Sequence, residues 1–544
     1  MKKNNFMQGA FIATLGIVIT KILGIIYVIP FYGIIGDKGG ALYGYAYNIY
    51  NIFLNISSAG IPMAMSKIIS EYHALGLYED KMKAFKIGKR MAIILSIISF
   101  IILFVFAPKI AYLIIGDIKG GNSIDEIALV IRIISTAIIV VPILSVYRGF
   151  FQGHKYIEPT SKSQVLEQIV RVTIIVLGSF LSLKVFNLSL TTSVGIAVFG
   201  ATAGAFCSYF YIIQKYLNNI SHFDSKEKKK SIHTNKEIIL QIILYAIPLV
   251  LIDVFKTLYN SVDMITLVKT MVNDIGYSIK DAEAIMSIIS TWGSKLNMIV
   301  TSIGTGIVIS LVPNLSTNFV KEEKKEVNNK VNQSFQILLF FVLPMTFGLS
   351  LLSRCVWTIF YGVNELGFVT FSFSIFIALF MSLFSISISI VQILKEYKCV
   401  YISLVIGFLC KCILNIPLIH LVYKLNLPAQ FGSILATIMA YIIPTIICLI
   451  YLKKKFKFNY YASYKNVLSI MIGTILMSSV ILLLELVLPT YSTNRFVNIP
   501  ICLLYTIVGG SIYLFYLWKK GIIQDIFGEK IVNKIINKFK KRLP

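Results

Sequence analysis

The chain reads as a succession of apolar runs separated by short polar stretches. At 1.5 Å of rise per residue, a helix needs about 20 apolar residues to cross a hydrocarbon core. Runs of that length lie at about 9–31, 42–66, 91–115, 127–147, 164–183, 193–214, 237–263, 286–314, 335–361, 368–394, 400–423, 431–452, 467–488 and 498–518. Ile, Leu, Val and Phe follow one another within them without the alternation that marks the strands of a membrane barrel. The pattern therefore predicts an all-α integral membrane protein of about fourteen transmembrane helices. The first run follows Lys2 and Lys3. It is longer than the core of a signal peptide and lacks a small-residue cleavage site, so it is read as a retained helix. The run 237–263 is the least regular, because it holds Pro248, Asp253, Lys256 and Asp263.

The polar connections test the count. Cytoplasmic loops of membrane proteins collect Lys and Arg. The N-terminus, the even-numbered loops and the tail carry 36 of the 51 basic residues, the opposite loops carry 8, and the remaining 7 lie inside spans. One span more or fewer would scramble this alternation, so both termini are expected in the cytoplasm. The same asymmetry accounts for the net charge of +26. Basic residues placed as topological determinants beside an anionic leaflet need no nucleic acid as partner. The Lys226, Lys228, Lys229 and Lys230 run reads as a solvated loop. In the tail, Ile522, Ile523, Ile526, Phe527, Ile531, Ile535 and Phe539 recur at helical spacing among lysines. That pattern predicts an amphipathic helix lying on the cytoplasmic membrane surface.

The longest and most charged cytoplasmic connection, 215–236, separates two six-helix stretches. Ser58–Ser66 ends the second span and Gly304–Pro313 ends the eighth, and each leads into a loop rich in Lys and Glu. We therefore expect a pseudo-twofold repeat: an N-terminal six-helix lobe at 1–214, a cytoplasmic linker at 215–236, a C-terminal six-helix lobe at 237–452, two extra helices at 453–518 and the tail at 519–544. Repeats with an even number of spans share one orientation, which suits two bundles around a cavity that opens to alternate sides.

Ionisable residues deep in a span are expensive and mark transport pathways. Lys21 stands midway along the first span, Lys295 well inside the eighth, and Lys256 in the seventh, three residues after Asp253. Asp253 and Lys256 either neutralise each other along the helix or join Asp263 in lining a cavity. Lys21 and Lys295 have no acidic neighbour in sequence, which favours a cationic cavity. Arg132, Arg171 and Arg354 stand nearer span ends, where snorkelling to the interface is expected. Lys411 lies mid-span between Cys410 and Cys412, with helix packing and a cavity role equally open. Asn48, Asn51, Asn55 and Ser58 share one face of the second span, with Tyr43, Tyr47 and Tyr50 nearby. That face either bonds to neighbouring helices or lines water for a saccharide. Gly60, Pro62, Pro248 and Pro313 are candidate kink or hinge positions, because each proline removes a backbone bond.

The chain contains no P-loop, nucleophile elbow or zinc-protease motif, so neither ATP hydrolysis nor another enzymatic activity is expected. The seven cysteines lie in or beside apolar runs and form no C-x-x-C pair. They read as packing residues, and neither a metal nor another cofactor is expected.

The stretch Lys21-Ile22-Leu23-Gly24-Ile25-Ile26-Tyr27-Val28-Ile29-Pro30 resembles the first helix of the polysaccharide-biosynthesis flippases. Gly60-Ile61-Pro62-Met63-Ala64-Met65-Ser66-Lys67-Ile68-Ile69-Ser70-Glu71-Tyr72 looks like their second-helix motif, and Ala246-Ile247-Pro248 with Asp263 like their seventh helix. These flippases belong to the multidrug/oligosaccharidyl-lipid/polysaccharide exporter superfamily. The resemblance spans the whole chain and is strongest to the group of stage V sporulation protein B and the related lipid II flippases. It implies export of an undecaprenyl-pyrophosphate-linked saccharide across the plasma membrane for cell-wall synthesis or sporulation. It further implies that Lys21 and Lys295 match basic positions of the substrate cavity, where relatives often carry Arg. Lys binds pyrophosphate as a point charge and lacks the bidentate fork. The bilayer and the lipid-linked saccharide are the implied partners. A coupling ion and envelope-synthesis proteins are left open. Three alternatives stand beside lipid II export: a flippase for another lipid-linked polymer unit, a drug/cation antiporter, and a scaffold without transport. The antiporter would need acidic residues to dominate its cavity.

Overall fold

A computed structural model of the chain describes residues 16, 18–118, 120–219, 223, 231–320, 324–489 and 491–528, without the side chains of 59, 309–314, 316–320 and 462. The regular structure of the described residues is entirely helical. Twelve helices among them are long and apolar enough to cross a membrane. They correspond to the expected spans other than the first and the eighth. Those two regions are helical as well, at 18–26 and from Ile279 to Val320.

In chain order the elements are α1 (18–26), α2 (Val28–Leu54), α3 (Ile61–Ala74), α4 (Tyr78–Ile115), α5 (Ile124–Gly153), α6 (Ile157–Thr173), α7 (Leu190–Leu217), α8 (Asn235–Lys269), α9 (Ile279–Ser287), α10 (Gly293–Val320), α11 (Lys324–Leu351), α12 (Ser353–Tyr361), α13 (Glu365–Ile393), α14 (Tyr397–Lys424), α15 (Gln430–Phe456), α16 (Tyr461–Glu485), α17 (Arg495–Lys519) and α18 (Ile522–Phe527). Local chemistry sets several of their ends. Ser123 and Glu126 close a capping box at α5, and Thr234 and Glu237 close another at α8. Ser189, Ser278 and Asn364 cap α7, α9 and α13. Within α2 the helix breaks at Gly36, whose φ of 63° suits a residue without Cβ. The first and second spans thus meet at a single turn rather than across a loop. Rows of exposed apolar side chains, such as Ile94, Ile97, Ile101 and Val105 on α4, are tolerable only against lipid.

The chain forms two compact units, Met1–Trp292 and Gly293–Pro544. The expected boundary was the 215–236 linker; instead α8 packs within the first unit. Its entry is tied there by hydrogen bonds. The buried Asp80 carboxylate at the start of α4 accepts from the Ser231 hydroxyl, from Ile232 N at 3.0 Å and from His233 N at 3.4 Å. Lys83 Nζ donates to the His233 carbonyl at 2.7 Å. Nearby, Phe150 meets Tyr216 and Phe223 edge to face, Phe85 lies tilted against Phe150 and Tyr216, and Tyr216 stacks on Phe223.

In the second unit, α11 and α16 are joined by a buried polar ladder. Ser463 Oγ donates to Asn332 Oδ1 at 2.6 Å, and Asn466 Nδ2 to Gln336 Oε1 at 3.4 Å. The start of the tail differs from its sequence reading. Ile522 and Ile526 of α18 are buried in the protein, and Gln333 Nε2 donates to the Ile526 carbonyl at 2.9 Å. Residues 529–544, the remainder of the expected amphipathic helix, lie outside the described residues.

Candidate functional site

The polar stripe of the second span divides by role. Asn55 opens a π-helical turn, Asn55–Ala59, that joins α2 to α3. Its amide donates to the Asp253 carbonyl at 3.2 Å and to Thr257 Oγ1 at 2.8 Å, so it binds α8. The Ser58 hydroxyl turns back to the Leu54 carbonyl at 2.7 Å. Asn48 is buried, and its Nδ2 has no hydrogen-bond partner among the described residues. Asn51 remains half-buried. The stripe thus holds helices together at one end and leaves polar capacity open at the other.

Gly60 follows the π turn. A Cβ there would stand 2.8 Å from Ala246 Cα and collide with the Ala246 carbonyl. The glycine exists for a close crossing of the second span with α8, two residues before Pro248. Pro62 occupies the first turn of α3, where its missing N–H costs nothing. Pro313 lies within α10.

Of the expected cationic residues, Lys21 is half-buried on α1 and Lys256 half-buried on α8, both in the first unit. Lys295 is half-buried in the first turn of α10, in the second unit. Just past it, Asn297 Nδ2 donates to the Ser374 carbonyl at 3.3 Å. Asp253 and Lys256 are both half-buried on α8. Asp263 is buried near the far end of that helix.

Sequence reasoning missed a charge cluster in the first unit. Glu167 on α6 receives Arg148 Nη2 from α5 at 2.9 Å and Arg171 Nη2 from its own helix at 2.6 Å. The three side chains are 13%, 11% and 18% exposed. Arg148 also donates to Ser163 Oγ and Ser208 Oγ, each at 2.9 Å. Arg171 reaches Tyr47 OH at 3.3 Å, and Tyr47 stacks on Tyr43 with ring centroids 5.2 Å apart. Arg171 therefore does not snorkel to the interface; a buried carboxylate and the tyrosine face hold it inside. The spacing of Glu167 and Arg171 by four was the readable signal, but Arg148 reaches them only through the fold. Arg132 is half-buried, and its Nε donates to the Phe104 carbonyl at 3.2 Å. Among the described residues no group of His, Cys, Asp and Glu is placed to hold a metal ion.

The second unit contains an apolar pocket of about 350 Å³. Phe340, Phe341 and Met345 of α11, Met477 of α16 and Leu514 of α17 contribute to its wall.

Comparison with known proteins agrees with this architecture. Residues 6–319 match the family described as polysaccharide biosynthesis protein. Over 540 residues the chain is 34% identical to the lipid II flippase MurJ of Bacillus subtilis (strain 168), covering 97% of this chain and 98% of that one. Stage V sporulation protein B of the same organism is 26% identical over 250 residues, 46% of each chain. Of these two likenesses, the one to MurJ is the longer and the higher. Among solved structures, lipid II flippase MurJ in an inward closed conformation superimposes with a TM-score of 0.64 at 19% identity, over 95% of this chain and 99% of that one. An inward-facing multidrug resistance MATE family transporter of the MOP superfamily gives 0.63 at 11% identity, over 82% and 98%. MurJ is a flippase and the MATE family protein a transporter, and neither is an enzyme. By its helix order and by sequence, this chain belongs to the polysaccharide biosynthesis protein family of multi-pass membrane proteins.

Proposed function

We propose that the protein is a flippase that carries an undecaprenyl-pyrophosphate-linked saccharide, the peptidoglycan precursor lipid II, from the inner to the outer leaflet by alternating access. The observation that carries this reading is the 34% identity to a lipid II flippase along nearly the whole of both chains. The physical chemistry is consistent with it. Lys21, Lys256 and Lys295 are cations set at membrane depth, and a pyrophosphate leaving water needs compensating positive charge. Asn51 and Tyr47 offer amide and hydroxyl groups of the kind that sugars accept. The apolar pocket of the second unit suits part of a polyprenyl chain. The distribution of Lys and Arg supports cytoplasmic termini. Without a nucleotide site, the driving force would come from an ion gradient, the membrane potential or consumption of the product.

The test is complementation. The resident lipid II flippase of a tractable bacterium is depleted, this chain is expressed, and lipid II in the outer leaflet is measured. Rescue by the wild type that fails in Lys21→Ala and Lys295→Ala at equal membrane abundance supports both the substrate and the cationic residues. Rescue undiminished in the double variant would sink the role of the lysines. A well-expressed chain that fails to rescue would transfer the reading to another lipid-linked glycan.

A further inference from the structure

Lys411 is a mid-membrane cation that the flippase reading does not use. It lies in the middle of α14, and its side chain is 0% exposed. Its Nζ meets Asn415 Oδ1 at 3.0 Å, the Ser433 carbonyl at 3.0 Å and Thr437 Oγ1 at 2.6 Å. Asn415 lies one turn along the same helix, and the other two residues lie on α15. Asn415 and Ser433 are fully buried as well.

The hydrogen-bond directions identify the species. The Thr437 hydroxyl donates to the Ser433 carbonyl at 3.1 Å, which leaves its lone pairs facing Nζ. All three oxygens therefore act as acceptors toward the lysine. An ammonium has three N–H donors to meet them. An unsolvated ammonium inside a span would cost several kcal/mol, and these oxygens replace its water shell. An amide oxygen, a backbone carbonyl and a hydroxyl are also the neutral oxygen donors that strip and hold a small monovalent cation. None of the three carries charge, which suits a single positive charge rather than a divalent ion.

We propose that Lys411 is a tethered cation: its ammonium fills a monovalent-cation site built by Asn415, Ser433 and Thr437, supplying the charge that a dissolved sodium or potassium ion would supply there. The site holds α14 against α15 without drawing on the ions of the medium. Removing the lysine side chain opens the cage to such an ion.

The test uses the purified full-length chain in detergent. Melting is followed in choline chloride and after replacement of choline by sodium or potassium at constant ionic strength. The wild type is expected to melt at the same temperature in all three salts. Lys411→Ala is expected to melt lower in choline and to recover, saturably, in sodium or potassium. Lys411→Ala with Thr437→Val is expected to melt low in all three. A folded Lys411→Ala that ignores the cation overturns the proposal. If Lys411→Ala yields no folded protein, Thr437→Val alone answers, because it removes one ligand and keeps the ammonium. Indifference of that variant to the salt supports the tethered cation. Sodium or potassium stabilisation of the wild type that Thr437→Val abolishes overturns it. The readout involves no lipid export, so its failure and failure of the flippase reading are separate results.

Discussion

Replacing Glu167 by Gln tests whether the first unit depends on its buried charge cluster. The side chain keeps its shape and loses its charge. Two charge-assisted contacts, at 2.9 Å to Arg148 and 2.6 Å to Arg171, become contacts to a neutral amide. Arg148 retains Ser163 and Ser208, and Arg171 retains Tyr47. Two guanidinium charges nevertheless stay in a region at most 18% exposed, with their shared counter-ion gone. Removing one partner of a buried ion pair costs about 3–5 kcal/mol, most of it from the charge left behind. With roughly 2.1 cal/mol/K of unfolding entropy per residue, a cooperative unit the size of Met1–Trp292 would melt about 5–8 °C lower. The assay is thermal melting in detergent, followed by fluorescence and by size-exclusion recovery. A triple variant, Arg148→Met, Glu167→Met and Arg171→Met, should regain most of the loss, because the penalty belongs to unpaired charge rather than to the missing pair. A Glu167→Gln protein that melts with the wild type would refute the reasoning, since water would then be screening both arginines.

Three further outcomes rest on the geometry. Gly60→Ala forces the second span away from the Ala246 backbone and should cost about 1–3 kcal/mol by overpacking; a melting temperature equal to the wild type's would refute the close crossing. Burial of Glu396 opposes its ionisation, yet hydrogen bonds from Lys455 at 2.5 Å and Tyr451 at 2.6 Å prevail and hold its carboxyl below the ordinary 4.5. A depressed carboxyl stabilises the fold fully at neutral pH and loses that contribution as pH falls through its folded value. The acid limb of the melting curve should therefore flatten in Glu396→Gln, and an unchanged limb would refute the assignment. Asp80→Asn removes the negative charge that gathers Ser231, Ile232 and His233; trypsin cleavage at the exposed Lys236 should quicken in limited proteolysis.

Much of the architecture was legible in the apolar runs, because bilayer thickness imposes one length on every span and cytoplasmic charge fixes their parity. Elements that depend on tertiary partners were not. Gly36 reads as part of a loop until its positive φ shows a single-residue break between helices. The 215–236 linker is the natural boundary by charge, but Asp80 on α4 and Asn55 after α2 bind the entry and the body of α8 to the helices on the N-terminal side of that linker. Lys21, Lys256 and Lys295 stand out in the sequence as charges within apolar runs. Glu167 and Arg171 advertised themselves by spacing, yet Arg148 joins them from another helix. Lys411 stood out as a mid-span charge, but its oxygen cage draws on residues more than twenty positions away.

The packing of α8 with the helices that precede it bears on biosynthesis. A nascent chain that has emerged only as far as the charged linker lacks the surface that meets Gly60 and the carbonyl and hydroxyl that accept from the Asn55 amide. The first unit is complete only when Trp292, buried against Gly40, has left the ribosome. A gene split at the linker would thus give one fragment with an unfilled groove and another carrying its missing helix. A split after Trp292 would respect the unit as it folds.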